Sequence, residues 1–204
     1  SVLLEKVHNH PDEKVRKDAG EMLALLGRQD LEHTMADISH SPHPQDTRLK
    51  LHLEGRDPDD GMTDVAYEKG YAFLRTIEEK VGRPKFDAFV RNYFDAHAFQ
   101  SMTTEGFLQL LESELLVPNK VALNSMAWIN GDGLPADAVK PVSDRFKKVE
   151  GELQRWEEGA DARSLATKEW STFEWLHFLR HLPSGLTLDR MEGLDQAFRF
   201  TGSG

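Results

Sequence analysis

Along nearly the whole chain, apolar residues return every three or four positions, and this spacing constrains the fold more than any other feature. Val15, Ala19, Met22, Leu23 and Leu26 form one such series, and Tyr67, Tyr71, Leu74, Ile77 and Val81 another. Phe86, Phe89, Val90, Tyr93 and Phe94 make a dense aromatic stripe, and Leu108, Leu111 and Leu115 continue the pattern. Val142, Phe146, Val149, Leu153 and Trp156 step by four, three, four and three. Spacing of this kind is one face of a helix with 3.6 residues per turn, so the expectation is an all-α chain.

Local punctuation agrees with that reading. Gly27 and Gly82 stand where helices would stop, and Pro84 where a helix start tolerates proline. A second, shorter helix is expected from Asp30 to Ile38. Thr103 is a good N-cap, with Met102 and Phe107 in the two positions of a hydrophobic staple, and Pro118 ends that helix. Thr167 is expected to cap a helix bearing Trp170, Phe173, Leu176 and Leu179. Thr187 caps another with Leu188, Met191 and Leu194.

Two stretches break the periodicity. Residues 39–66 are rich in Ser, His, Pro, Asp and Gly, and the alternation Leu49-Lys50-Leu51-His52-Leu53 predicts one short extended strand within a long loop. Loops of this length are usually functional or disordered. Around Trp128-Ile129-Asn130-Gly131-Asp132-Gly133-Leu134-Pro135, residues 118–140 read as a linker. Successive helix pairs on either side suit an α-solenoid, although no internal repeat is visible. Phe198 and Phe200 stand just before Thr201-Gly202-Ser203-Gly204 and read as two exposed aromatics at a truncated end.

Composition excludes several functions. With 35 acids against 25 bases the net charge is −10, and no basic cluster offers a surface for nucleic-acid phosphates. No apolar run approaches the roughly 20 residues that span a bilayer, and the opening Ser1-Val2-Leu3-Leu4-Glu5 soon meets charge, so no signal peptide is expected in that stretch. The chain has no cysteine, which removes disulfides and thiolate chemistry and suits a reducing, cytoplasmic setting. Nothing in the sequence fixes an oligomeric state.

Nine histidines invite a metal reading, but the pattern is weak. His177 and His181 are four apart with Phe178-Leu179-Arg180 between them, so the carboxylate of an HExxH motif is missing; no HExxH occurs anywhere. The pairs His8 and His10, and His40 and His43, have no third convergent ligand. No serine sits in a nucleophile elbow and no glycine loop has phosphate-binding spacing. Of the tryptophans at 128, 156, 170 and 175, helical spacing places at least two in the core. Tyr67 remains, an aromatic at the first turn of a helix, eight residues after the acidic turn Asp57-Pro58-Asp59. On spacing alone it is an amphipathic helix-start residue, and the acids before it are turn chemistry.

The run Asp57-Pro58-Asp59 … Tyr67-Glu68-Lys69-Gly70-Tyr71-Ala72-Phe73-Leu74 resembles the segment that carries the catalytic tyrosine in the zinc metallopeptidase family of aminopeptidase N and leukotriene A hydrolase, the gluzincin aminopeptidases. The likeness continues in order. Ala24-Leu25-Leu26-Gly27-Arg28-Gln29-Asp30-Leu31 resembles bacterial members just downstream of the zinc ligands. Phe99-Gln100-Ser101-Met102-Thr103-Thr104 resembles the family's Ser-x-Thr-Thr cap, Trp128 to Pro135 its Pro-Gly-Leu-Pro linker, and Leu188-Asp189-Arg190-Met191 suits its next helical domain.

The resemblance implies an architecture and a role for each part. Residues 1–117 would be the helical half of a thermolysin-like catalytic domain, 118–140 a linker, and 141–204 the start of a C-terminal α-helical, armadillo- or solenoid-like domain. The parent would be a zinc-dependent aminopeptidase acting on peptides. Tyr67 would stabilise the oxyanion, and Asp59 would face the substrate in the cleft. Where leukotriene hydrolases carry a second tyrosine five residues before the catalytic one, Met62 stands here, which favours a plain peptidase. The zinc ligands and general base would precede Ser1 and the carboxylate-binding arginines would follow Gly204, so the chain alone is expected to be inactive. The rival expectation is a non-catalytic helical interaction scaffold whose aromatic stripes merely pack. Because a catalytic zinc takes three protein ligands, the isolated chain should retain no stoichiometric zinc after dialysis against a mild chelator. One equivalent by elemental analysis would refute this.

Overall fold

The computed structural model describes residues 9–202, so the readings placed on Ser1 to Glu5 and on His8 lie outside the described residues. Every regular element among the described residues is helical. The helices are α1 (Glu13–Ser39), α2 (Gly70–Val81), α3 (Arg83–Ala96), α4 (Thr104–Leu110), α5 (Ser125–Asn130), α6 (Asp144–Glu157), α7 (Thr172–Arg180) and α8 (Leu188–Phe198). Short 3₁₀ turns occupy Pro44–Thr47, Pro58–Gly61 and Ala162–Ser164, and π-helical turns occupy Val65–Lys69 and Leu111–Leu116.

The chain divides into two compact units, Gly27–Lys140 and a second made from the chain up to Leu26 together with Pro141 onward. In the first, α2 buries Phe73, Ile77 and Val81 beside Phe89 of α3 and Leu111, Leu115 and Leu116 of the π turn that extends α4. Residues 118–140, expected as a linker, belong to this unit and give its core Trp128, Ile129 and Ala138. Trp128 lies 5.4 Å from Phe73, ring to ring. In the second unit Ala19, Met22 and Leu26 of α1 pack on Phe146. Val149, Leu153 and Trp156 of α6 meet Phe178 and Leu194.

Caps explain most boundaries. Thr103 accepts a hydrogen bond from the Gly106 amide at 3.1 Å, as its position predicts. Gly82 takes φ +87°, a conformation that ends α2 and that L-residues resist. Ser143, at the mouth of α6, accepts from the Phe146 amide at 3.2 Å.

Four expectations are corrected. Gly27 does not stop α1, which runs on to Ser39 and absorbs the separate helix expected from Asp30. Its backbone stays helical, and its missing side chain leaves room for the Glu68 carboxylate, which would lie 2.2 Å from a Cβ there. The Leu49–Leu53 run alternates but is no strand. It finds no partner strand, only the Lys50 amide donating to the Ile129 carbonyl at 3.0 Å, while Leu51 and Leu53 cover Gly61. The helix with Phe173 begins at Thr172, not Thr167. The Ser171 amide and hydroxyl both donate to Glu174 at 2.7 Å, and this capping box outcompetes Thr167. Its buried face is Glu174, His177 and Phe178, with Leu176 and Leu179 outside. Finally, Phe198 and Phe200 are half-buried, their rings 4.7 and 5.4 Å from Trp175.

Ile77 is fully buried. Ile77→Ala should therefore lower unfolding free energy by about 2–5 kcal/mol in a urea titration. Phe99→Ala, at a fully exposed position, should cost less than about 0.5 kcal/mol.

Candidate functional site

Tyr67 sits in the middle of the π turn Val65–Lys69, which feeds directly into α2. A π turn holds one residue more than an α turn, so the apolar face expected from simple periodicity slips by about 100° as the chain enters the helix. Tyr67 is 71% exposed, and Tyr71 and Leu74 are exposed with it. The buried stripe is Val65, Lys69, Phe73, Thr76 and Ile77, so the face predicted as Tyr67-Tyr71-Leu74-Ile77-Val81 is corrected over its first half. Both ends of the turn, Val65 and Lys69, are anchored inside, and its centre faces out. The Tyr67 hydroxyl makes no hydrogen bond among the described residues, which leaves it available as a donor.

Lys69 has no exposed surface at all. Its ammonium donates to the Thr47 carbonyl at 2.9 Å and to the Gly131 carbonyl at 2.8 Å. The same two loops are tied again beside it. The Thr47 hydroxyl accepts from the Gly133 amide at 3.2 Å, and Arg48 pairs with Asp132 at 2.7 Å. Burial pushes the Lys69 ammonium down to about 8, with Asp132 opposing the shift and Arg48 adding to it.

Glu68 leans the other way, into the gap left by Gly27. Burial first, and then Asp30 and Asp64, raise its carboxyl above the ordinary range. Each neighbour of Tyr67 on the C-terminal side is therefore held by a separate part of the unit.

Asp59 lies in the 3₁₀ turn Pro58–Gly61, which Asp57 caps by accepting from the Asp59 amide at 3.0 Å. Asp59 and Met62 are both exposed. Asp59 shares the compact unit with Tyr67, but no hydrogen bond or ion pair joins them among the described residues. What fixes the acidic loop is a nearby pair the sequence did not flag: Arg56 donates to both carboxylate oxygens of Asp46, at 3.0 and 2.6 Å. Those bonds hold the Asp46 carboxyl below its ordinary value against the opposing effect of burial.

His40, His177 and His181 have structural partners. His177 is buried, its ring stacked 4.0 Å from Phe146 and its Nε2 3.0 Å from Glu150. His181 lies alongside it, 4.1 Å between ring centres. His40 Nδ1 lies 2.8 Å from the Ala36 carbonyl, in the last turn of α1. Among the described residues no three His, Asp or Glu side chains converge as metal ligands. The donor set of the described residues does not fit a catalytic zinc.

Sequence reasoning singled out Tyr67 and Asp59, gave no role to Lys69, Thr47 or Glu68, and read Gly27 only as a helix stop. A signal for Lys69 existed, since it lies four residues before Phe73 and eight before Ile77, on the buried stripe.

Fold and site together define a helical chain that presents one tyrosine from a turn pinned at both ends. Residues 9–128 match the Peptidase family M1 domain. Leucine aminopeptidase 2 of Yarrowia lipolytica is 31% identical over 84% of this chain and 27% of its own length. Aminopeptidase B of Rattus norvegicus is 30% identical over 76% of the chain and 26% of its own length. The structure of yeast LTA4 hydrolase in complex with Bestatin superposes with a TM-score of 0.69 at 21% identity, covering 90% of this chain and 33% of that one; that likeness shows the fold. The family match covers more than half of the 204 residues, and the chain belongs to peptidase family M1. It spans about a quarter of the length of the relatives it matches.

Because Lys69 holds its proton less tightly folded than unfolded, the unfolded state binds more protons between about pH 8 and its ordinary value of 10.5. Its contribution to stability therefore rises with pH across that window. The difference in unfolding free energy between wild type and Lys69→Met should grow in favour of wild type from pH 7 to pH 10. A flat difference would contradict the assignment.

Proposed function

We propose that this chain is part of a zinc-dependent aminopeptidase that removes N-terminal residues from peptides, and that Tyr67 is its oxyanion donor. Membership of peptidase family M1, whose members are zinc enzymes, supports the reaction class, as do relatives named as aminopeptidases. The observation that carries the role of Tyr67 is its setting: an exposed phenol at the centre of a turn whose two ends are buried. Attack on a peptide carbonyl places negative charge on its oxygen. A phenolic O–H held in position donates to that oxygen as the charge develops, and a donor of this kind is worth roughly 10²–10³ in rate.

In this reading residues 1–117 belong to the catalytic domain, 118–140 lead onward from it while packing Trp128, Ile129 and Ala138 into the Gly27–Lys140 core, and 141–204 open the C-terminal helical domain. Asp59 faces the substrate from the acidic turn. Met62, in the place of a second tyrosine, favours peptide hydrolysis over leukotriene chemistry. The metal ligands and the general base come from other parts of the longer protein, so this chain alone has no activity. Lack of cysteine suits a cytoplasmic enzyme.

In the full-length enzyme, Tyr67→Phe should leave folding and zinc content unchanged and lower kcat by roughly 10²–10³, about 3–4 kcal/mol. Tyr71→Phe, one helical turn on, is the matched control and should change kcat little. Equal small effects at both positions would mean that Tyr67 merely packs.

A further inference from the structure

We propose that Lys69 is a positioning residue for Tyr67: by fastening the end of the π turn to the Thr47 and Gly131 carbonyls, it fixes where the phenol stands. This rests on the reading of Tyr67 as the oxyanion donor. At a position with no exposed surface, in a stripe otherwise made of Val65, Phe73, Thr76 and Ile77, packing alone would not select a charged side chain. A lysine there carries a charge into the core, which is costly unless its donors are used. They are used, at 2.9 and 2.8 Å, on the backbone of two loops 84 residues apart in sequence.

The consequence for Tyr67 is geometric. The π turn has a backbone hydrogen-bond pattern that a one-residue slip converts to an ordinary α turn, turning Tyr67 by about 100°. Lys69 opposes that slip, because its ammonium leaves both carbonyls if the turn rewinds. Val65 packs at the other end, but apolar contact tolerates sliding where two directed hydrogen bonds do not. Around the ammonium, Asp132 and Arg48 are the charged groups that act on it. The Thr47 hydroxyl to Gly133 bond keeps the two acceptor loops together.

The test is made in the full-length enzyme with Lys69→Met, similar in length but without donors, and with Thr47→Val, which keeps the lysine and its carbonyl acceptor but breaks the bond to Gly133. Fluorotyrosine is incorporated, and the Tyr67 ¹⁹F resonance is assigned by its loss in Tyr67→Phe. Lys69→Met should shift or broaden that resonance and leave those of Tyr71 and Tyr93 in place. Thr47→Val should do the same to a smaller degree, and it decides the matter should Lys69→Met fail to fold. Kinetically, Lys69→Met should lower kcat roughly 10- to 100-fold with KM nearly unchanged, the scale expected of a misplaced catalytic group. Adding Tyr67→Phe to it should cost little more. An unmoved Tyr67 resonance in folded variants, or losses that multiply independently in the double variant, would overturn the proposal. A moved resonance with an inert Tyr67→Phe would uphold the positioning and remove the catalytic role.

Discussion

A lysine ammonium closed off from solvent is the constraint around which the Gly27–Lys140 unit is organised. An isolated charge cannot remain in such a place, so the fold must bring acceptors to it. The acceptors are main-chain carbonyls, one from the 3₁₀ turn Pro44–Thr47 and one from the glycine turn after α5. The carbonyls themselves benefit, because buried backbone oxygen needs a donor. With Arg48 and Asp132 paired just outside, the two loops are held at an inner and an outer point.

Around that anchor the reactive stretch has an inside and an outside residue by residue. Val65 and Lys69 point inward, Tyr67 points outward, and Glu68 fills the space beside the helix at Gly27. Four consecutive positions, Tyr67-Glu68-Lys69-Gly70, thus divide presentation, packing, anchoring and entry into α2. A loop carrying the same tyrosine would leave the phenol free to wander; rigid elements hold such groups more accurately.

Much of this was legible beforehand. Helix existence followed from periodicity, and the Thr103 cap and the Gly82 stop were readable because each depends on a few neighbouring residues. What could not be read depended on partners far away. Gly27 looks like a terminator until Glu68, 41 positions later, is seen to occupy its missing side chain. The leucines at 49, 51 and 53 alternate as a strand would, but a strand needs a neighbour and none comes. The slip at the π turn was invisible because sequence periodicity assumes 3.6 residues throughout. Tyr67 itself was found through resemblance, since its spacing alone described any amphipathic aromatic. Asp46 and Arg56, ten apart in a polar loop, gave no sign that they would pair.

The tryptophans are distributed in a way that gives the molecule two optical channels. Trp128 is alone among them in the Gly27–Lys140 unit, sealed in its core beside Phe73. Trp156, Trp170 and Trp175 all lie in the other, and Trp170 and Trp175 face each other edge-on at 4.8 Å. Coupled indoles give an exciton couplet in far-ultraviolet dichroism, from their most intense transition, that a solitary one cannot. The loosening of one compact body can thus be told from that of the other by the character of the light and not only by its intensity.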